Sequence, residues 1–162
     1  MDAISDDVHI RWLTRRDIPH AALIDKRSCD DNANWTEDRI RSMSISRSNI
    51  GRVVEMPYDG IIGYSCVSMF REDQIDAEIQ ENEFAEYVFI HRLVVDKEYR
   101  RRGYASLMMD RIELNQRSFR RGFVCMVHEE SLSTQLFLSQ RGYIGKCKRY
   151  LGENVIQMTK ET

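Results

Sequence analysis

The sequence predicts an α/β fold, a mixed and mostly antiparallel sheet of six to seven strands flanked by helices. Three observations carry this expectation. Apolar runs of strand length, bounded by turn residues, alternate with segments of helical periodicity. The runs 51–56 and 61–70 flank Pro57-Tyr58-Asp59-Gly60, whose proline and Asp-Gly chemistry makes a hairpin turn. The run 87–95 leads through a charged turn and one glycine into a helix, and then into another apolar run. That is a β-α-β crossover, and hairpins joined to a crossover give a mixed sheet with helices on both faces.

The elements follow in order. Residues 8–13 alternate as a first strand with Ile10 and Trp12 on one face. Thr14 caps a helix from Arg15, and Pro19 is tolerated because it falls in the first turn. Ile18, Ala21, Ala22 and Ile24 form its apolar side. An acidic loop with Asp30, Asp31 and Trp35 precedes a second helix capped by Thr36, which buries Ile40, Met43 and Ile45. The hairpin 51–70 comes next, then an acidic excursion from Glu72 to Glu86, then a fourth strand over 87–95. The central helix runs from Gly103 to Arg120, with Ala105, Met108, Met109, Ile112 and Phe119 on one face and Gly122 ending it. A fifth strand covers 123–127. Ser131 or Ser133 caps the last helix, and Gly142 closes it as a C′ glycine. Residues 143–146 and 155–158 pair as a closing hairpin.

Length and composition narrow the function. A chain of 162 residues can bury a real core and reads as one domain over 1–162, with 1–7 a flexible tail. Its net charge of −2 argues against general nucleic-acid binding. No apolar run reaches membrane-span length, and the polar start carries no signal peptide. Cys29, Cys66, Cys125 and Cys147 are scattered and read as reduced thiols of a cytoplasmic protein, with Cys66 and Cys125 in strands. Four dispersed histidines give no metal site.

The chemistry centres on Leu93-Val94-Val95-Asp96-Lys97-Glu98-Tyr99-Arg100-Arg101-Arg102-Gly103-Tyr104-Ala105-Ser106. A helix start offers unpartnered N–H groups and partial positive charge, a place for an anion such as a phosphate. Gly103 lets a ligand approach the backbone, and three arginines add charge. The string is neither a P-loop nor a Gly-x-Gly-x-x-Gly fingerprint. On these residues alone, a basic helix start with a bend is the equal alternative.

Arg100-x-x-Gly103-x-Ala105, after Leu-Val-Val-Asp, resembles the acyl-CoA loop of the GNAT superfamily of N-acetyltransferases. The element order resembles that family's along nearly the whole chain. Arg141-Gly142-Tyr143 resembles its Leu-Gly-Phe/Tyr, and Ile24-Asp25-Lys26-Arg27 with Trp35-Thr36-Glu37 is similar to ribosomal-protein alanine N-acetyltransferases. The resemblance implies splayed fourth and fifth strands, diverging after Val94. It implies acetyl-CoA as co-substrate and direct transfer to a primary amine in a ternary complex. Leu93, Val94 and Val95 would take the pantetheine amide and the oxyanion. Residues Arg100, Arg101, Arg102, Gly103, Tyr104, Ala105 and Ser106 would hold the pyrophosphate. Ser131 stands where the family has an asparagine for the pantetheine arm, and Leu138 where it has an acidic tyrosine.

Tyr150 or Tyr143 could supply a phenol instead, the alternative being ordinary packing. His91 shares a strand face with Phe89, Leu93 and Val95, and an imidazole pKa near ~6.5 suits a base at neutral pH. A hydrogen-bonded, half-buried histidine is the competing reading, and His128 is a weaker candidate base. Trp35 and Glu86 are candidate acceptor contacts, in an acidic setting that would attract a cationic amine or a protein N-terminus. A homodimer is left open. Two competing readings are an acyl-CoA sensor without turnover, suggested by Leu138, and an interaction protein using Arg100–Arg102 and Arg117–Arg121.

Overall fold

A computed structural model describes residues 8–29, 34–46, 48–69, 86–116, 121–150 and 152–161. The tail 1–7, Asp30, Asp31, the acidic run 72–85 and Phe119 lie outside the described residues. The chain packs as two compact units, one of Met1–Ser68 with Arg92–Asn115, the other of Met69–His91 with Gln116–Thr162.

The first unit holds β1 (His9–Trp12), α1 (Ile18–Ser28), α2 (Glu37–Ser44), β2 (Ile45–Ser46), β3 (Asn49–Met56) and β4 (Gly60–Ser68). It also holds the second half of β5 (Tyr87–Val95) and nearly all of α3 (Tyr104–Gln116). Its strand order is β1-β3-β4-β5, with β2 paired off this path to β3. The β1–β3, β2–β3 and β3–β4 pairs are antiparallel. Adjacent residues of a strand face opposite ways, and here they enter opposite cores. Val53 and Val94 pack with Ile18, Ile24 and Ile40 of α1 and α2. Val54 and Val95 pack with Tyr104 and Met108 of α3.

The second unit holds the first half of β5, β6 (Gly122–His128), α4 (Leu132–Gln140), β7 (Ile144–Tyr150) and β8 (Glu153–Glu161), in the strand order β5-β6-β8-β7. β5 and β6 run parallel, paired from Tyr87 to Phe89 against Gly122 to Val124. The β6–β8 and β7–β8 pairs are antiparallel. The mixed α/β fold expected from the sequence is therefore the one adopted. α4 ends as expected: Gly142 has φ +94°, the Tyr143 N–H donates to the Leu138 carbonyl, and the Gly142 N–H donates to the Ser139 carbonyl. That pair of bonds is the Schellman motif.

Several expectations need correction. Gly122 does not end a helix; it is the first residue of β6, where an added Cβ would lie 2.3 Å from the Lys160 carbonyl oxygen. Close backbone approach, not a turn, requires that glycine. Ile45 is not on a helix but in β2, and exposed; α2 stops at Ser44, whose Cβ a side chain at Gly51 would meet at 2.5 Å. Ile10 and Trp12 do share a face of β1, opposite Val54 and Arg52, with Ile10 packed against the core there and Trp12 63% exposed and 5.4 Å from the Arg52 guanidinium. The closing hairpin is longer than expected and pairs through to Tyr150–Glu153. β7 is an edge strand, where Lys146, Lys148 and Arg149 are tolerated and discourage further strand addition.

Candidate functional site

The site is built from the end of β5 upward. The Asp96 N–H donates to the Ile62 carbonyl at 2.8 Å, and a Cβ on Gly63 would lie 2.8 Å from the Val94 carbonyl oxygen. Val94 and Asp96 therefore turn their backbone polar groups toward β4, and Leu93 and Val95 turn theirs the other way. The parallel ladder of β5 ends at Phe89, five residues before the point expected from the resemblance.

Asp96 is 1% exposed and caps a 3-10 turn over Lys97–Tyr99, its carboxylate accepting from the Glu98 N–H at 3.2 Å. The sign of φ then alternates. Arg100 has φ −69°, Arg101 +63° and Gly103 +89°; among the described residues Arg101 is the one non-glycine with positive φ. Residues of alternating φ sign point successive N–H groups into one concavity, a backbone nest for an anion. α3 begins at Tyr104, and the Leu107 N–H makes the first intrahelical bond, to the Gly103 carbonyl, at 3.0 Å. The N–H groups of Tyr104, Ala105 and Ser106 precede that bond and add their dipoles to the nest. Tyr104 is buried and its ring meets Tyr99 edge-on at 6.3 Å. A hydrogen bond to Asp59 pushes the Tyr99 phenol up to about 12.

The three arginines do different things. Arg101 is exposed, and Arg102 lies over the Tyr99 ring at 5.3 Å. Arg100 donates from Nη2 to the carbonyl of Ser28, the last residue of α1. Ser28 also receives the Lys97 N–H on its hydroxyl at 3.2 Å, and Arg27 beside it is ion-paired with Asp96. Sequence reasoning singled out Arg100 and missed Arg27, Ser28 and Asp96 at this junction. A readable signal existed for Asp96, an aspartate at the start of a short turn.

The remaining candidates occupy varied surroundings. His91 is half-buried and stacks on Phe89, with centroids 4.4 Å apart and planes at 21°, so the two share a face as expected. Trp35 is 5% exposed; its indole belongs to the core, between the Arg39 and Arg92 guanidiniums at 4.6 and 5.6 Å. The backbone N–H of Trp35 donates to Asp25, a fully buried carboxylate that also accepts two bonds from Arg92 at 2.9 Å and one from the Tyr64 phenol at 2.5 Å. Burial and that bond push the Tyr64 phenol far above its ordinary value. Glu86 is exposed, 3.6 Å from Arg121. Ser131 precedes α4 but gives its first turn no side-chain cap bond. Leu138 and Tyr143 are buried, and Tyr150 pairs with Glu153 in the closing hairpin.

The chain belongs to the acetyltransferase (GNAT) family, whose model matches residues 16–143. Its class is therefore that of the GNAT acetyltransferases. No curated relative matches it in sequence. Its fold is that of NAA60 of Arabidopsis thaliana, solved in complex with acetyl-CoA, with TM-score 0.73 at 12% identity over 96% of this chain and 99% of that one. The ribosomal-protein-S18-alanine N-acetyltransferase of Escherichia coli matches with TM-score 0.68 at 14% identity, over 94% of this chain and 90% of that one. A spermidine N-acetyltransferase chimera from Vibrio cholerae and hSSAT matches with TM-score 0.68 at 13% identity, over 96% of each. No helix among the described residues is long and apolar enough to cross a membrane.

Proposed function

We propose that this protein moves the acetyl group of acetyl-CoA directly to a primary amine, either a protein N-terminus or a small amine, in a ternary complex. The observation that carries the reading is the nest formed by Arg101 and Gly103 at the start of α3, a backbone shape suited to a diphosphate. In this reading the amides from Arg101 to Ser106 take the pyrophosphate. Backbone groups of Leu93 to Val95 take the pantetheine amide and the developing oxyanion, and the Ser131 hydroxyl takes the pantetheine arm. Related folds solved with acetyl-CoA or named for amine acetylation support the choice of co-substrate and acceptor class.

Transfer needs a neutral amine, a polarised thioester carbonyl and a leaving thiolate. His91 is the proposed base: its imidazole takes a proton from the attacking ammonium, and the freed lone pair forms the new C–N bond. The tetrahedral adduct collapses by breaking the C–S bond, and the proton shed by the new amide nitrogen goes to the departing thiolate or to solvent. A thiol of pKa ~8.5 leaves as thiolate with little help, so a phenol such as that of Tyr150 is an aid and not a requirement. Trp35, being buried, would shape the acceptor side through its neighbours, and Glu86 would attract a cationic amine. We place the reaction in the cytoplasm, in keeping with four cysteines that form no disulfide.

The second reading, an acyl-CoA sensor, is favoured by the burial of both Leu138 and Tyr143. A thermal-shift screen with CoA esters, followed by thiol release over a panel of peptides and amines, tests both. Stabilisation by acetyl-CoA with turnover on an amine is expected. Tight binding with no turnover on any amine would establish the sensor, and no binding would overturn the cofactor assignment.

A further inference from the structure

The arginine run looks, in sequence, like three interchangeable phosphate donors. The structure divides it. Arg100 reaches back to the carbonyl at the end of α1, where a helix leaves its last carbonyls unpartnered and carries partial negative charge. Arg27, on the last turn of α1, reaches the other way and pairs with Asp96, a buried carboxylate at the root of the loop. Between them the Ser28 hydroxyl accepts the Lys97 N–H. Three ties in reciprocal directions join two residues of α1 to the five-residue segment 96–100, immediately before the alternating φ values begin. An Asp96 left without Arg27 would be a buried, uncompensated charge, and the 3-10 turn it caps would lose its anchor.

We propose that Arg27 and Arg100 are positioning residues for the anion loop: the last turn of α1 fixes the root from which the nest is shaped, and neither guanidinium is an anion ligand. This rests on the acetyl-CoA reading for its ligand but not for its geometry.

The test uses the full chain carrying Arg27→Met, Arg27→Lys, Arg100→Met or Arg101→Ala. Two quantities are measured. The first is amide hydrogen exchange at Lys97, Glu98 and Tyr99 without ligand. The second is the Kd of acetyl-CoA at several salt concentrations. Positioning predicts that Arg27→Met and Arg100→Met each speed loop exchange about tenfold. They should weaken acetyl-CoA by a similar factor and leave the slope of log Kd against log salt at its wild-type value. Arg27→Lys should recover part of both losses. Arg101→Ala, which removes an exposed charge beside the nest, should lower the slope and leave exchange unchanged. The Asp96 amide, bonded to Ile62 in the sheet, reports any general unfolding. Wild-type loop exchange in Arg27→Met would overturn the proposal, as would a reduced salt slope in Arg100→Met. If the wild-type protein fails to bind acetyl-CoA, the functional reading falls, and the exchange measurement still decides this one.

Discussion

Replacing Gly103 probes the loop at its most demanding backbone position. Its φ of +89° lies beyond the left-handed basin that L-residues use, which ends near about +70°, whereas Arg101 at +63° lies inside it. Holding an L-residue at left-handed φ costs about 1–2 kcal/mol, with asparagine the most tolerant and branched side chains the least. A variant can meet that cost in either of two ways. If the loop keeps its shape, stability falls by that amount. If the residue relaxes to negative φ, the following amides turn out of the nest and binding weakens. For Gly103→Val the sum of the two losses should reach at least ~2 kcal/mol, equivalent to about 30-fold in Kd if all of it appears in binding. The series Gly103→Asn, Gly103→Ala, Gly103→Val should worsen in that order. Melting without ligand measures the first loss, and calorimetric titration of the folded protein with acetyl-CoA measures the second. A folded Gly103→Val protein with wild-type melting and wild-type Kd would refute both the backbone argument and the cradle built on it.

Four further outcomes are expected. Asp25→Ala strips the partly buried Arg92 of its fully buried carboxylate and should cost about 3–5 kcal/mol in urea unfolding; a loss within 1 kcal/mol, roughly, would mean that water or another group replaces the carboxylate. Burial alone would raise the Asp17 carboxyl, but bonds from Arg11 and Thr14 outweigh it and hold the group below its ordinary 3.8. A depressed folded pKa contributes stability that is present above the unfolded value and fades as pH falls through the folded one, so Asp17→Asn should flatten the acid limb of the stability curve below about pH 4; an unchanged limb would contradict this. Gly122→Ala drives a Cβ against the Lys160 carbonyl and should cost roughly 1–3 kcal/mol, where a wild-type urea midpoint would show that the β6–β8 pair can simply open. His91→Ala should lower kcat with little change in acetyl-CoA Kd, and the loss should shrink at high pH, where the amine is already neutral; a wild-type rate independent of pH would remove the need for this base.

The sequence was most legible where local chemistry decides the structure. The bounds of β5 emerge as 87–95 because a β-branched run is cut off by Asp96, which caps the next turn. The close of α4 was readable because Gly142 must take positive φ. The nest was readable in outline, since one glycine after an arginine run at a helix start narrows the options. Where two segments distant in sequence meet, the reading failed. Gly122 looks like a helix terminator and is instead a point of close packing against Lys160. Ile45 continues the helical pattern of α2, but Ser44 meets Gly51 and the chain turns into β2. The polar residues of β7 hide a strand because an edge position does not demand apolar alternation. Arg100 could be placed in the loop by sequence, but its bond to Ser28 spans 72 positions and has no local signature.

The division of the chain bears on how it folds during synthesis. The first unit is complete once Asn115 has emerged, whereas the second gains β8, the strand between β6 and β7, only when Glu161 has been made. The first unit must close over the intervening residues 69–91, a cost that grows only with the logarithm of loop length. The nascent chain can thus shape the nest at the start of α3 while β7 and β8 are still in the ribosome. A translational pause placed after α3 would favour that order, and a stop codon after β6 would leave that strand without β8 along its edge.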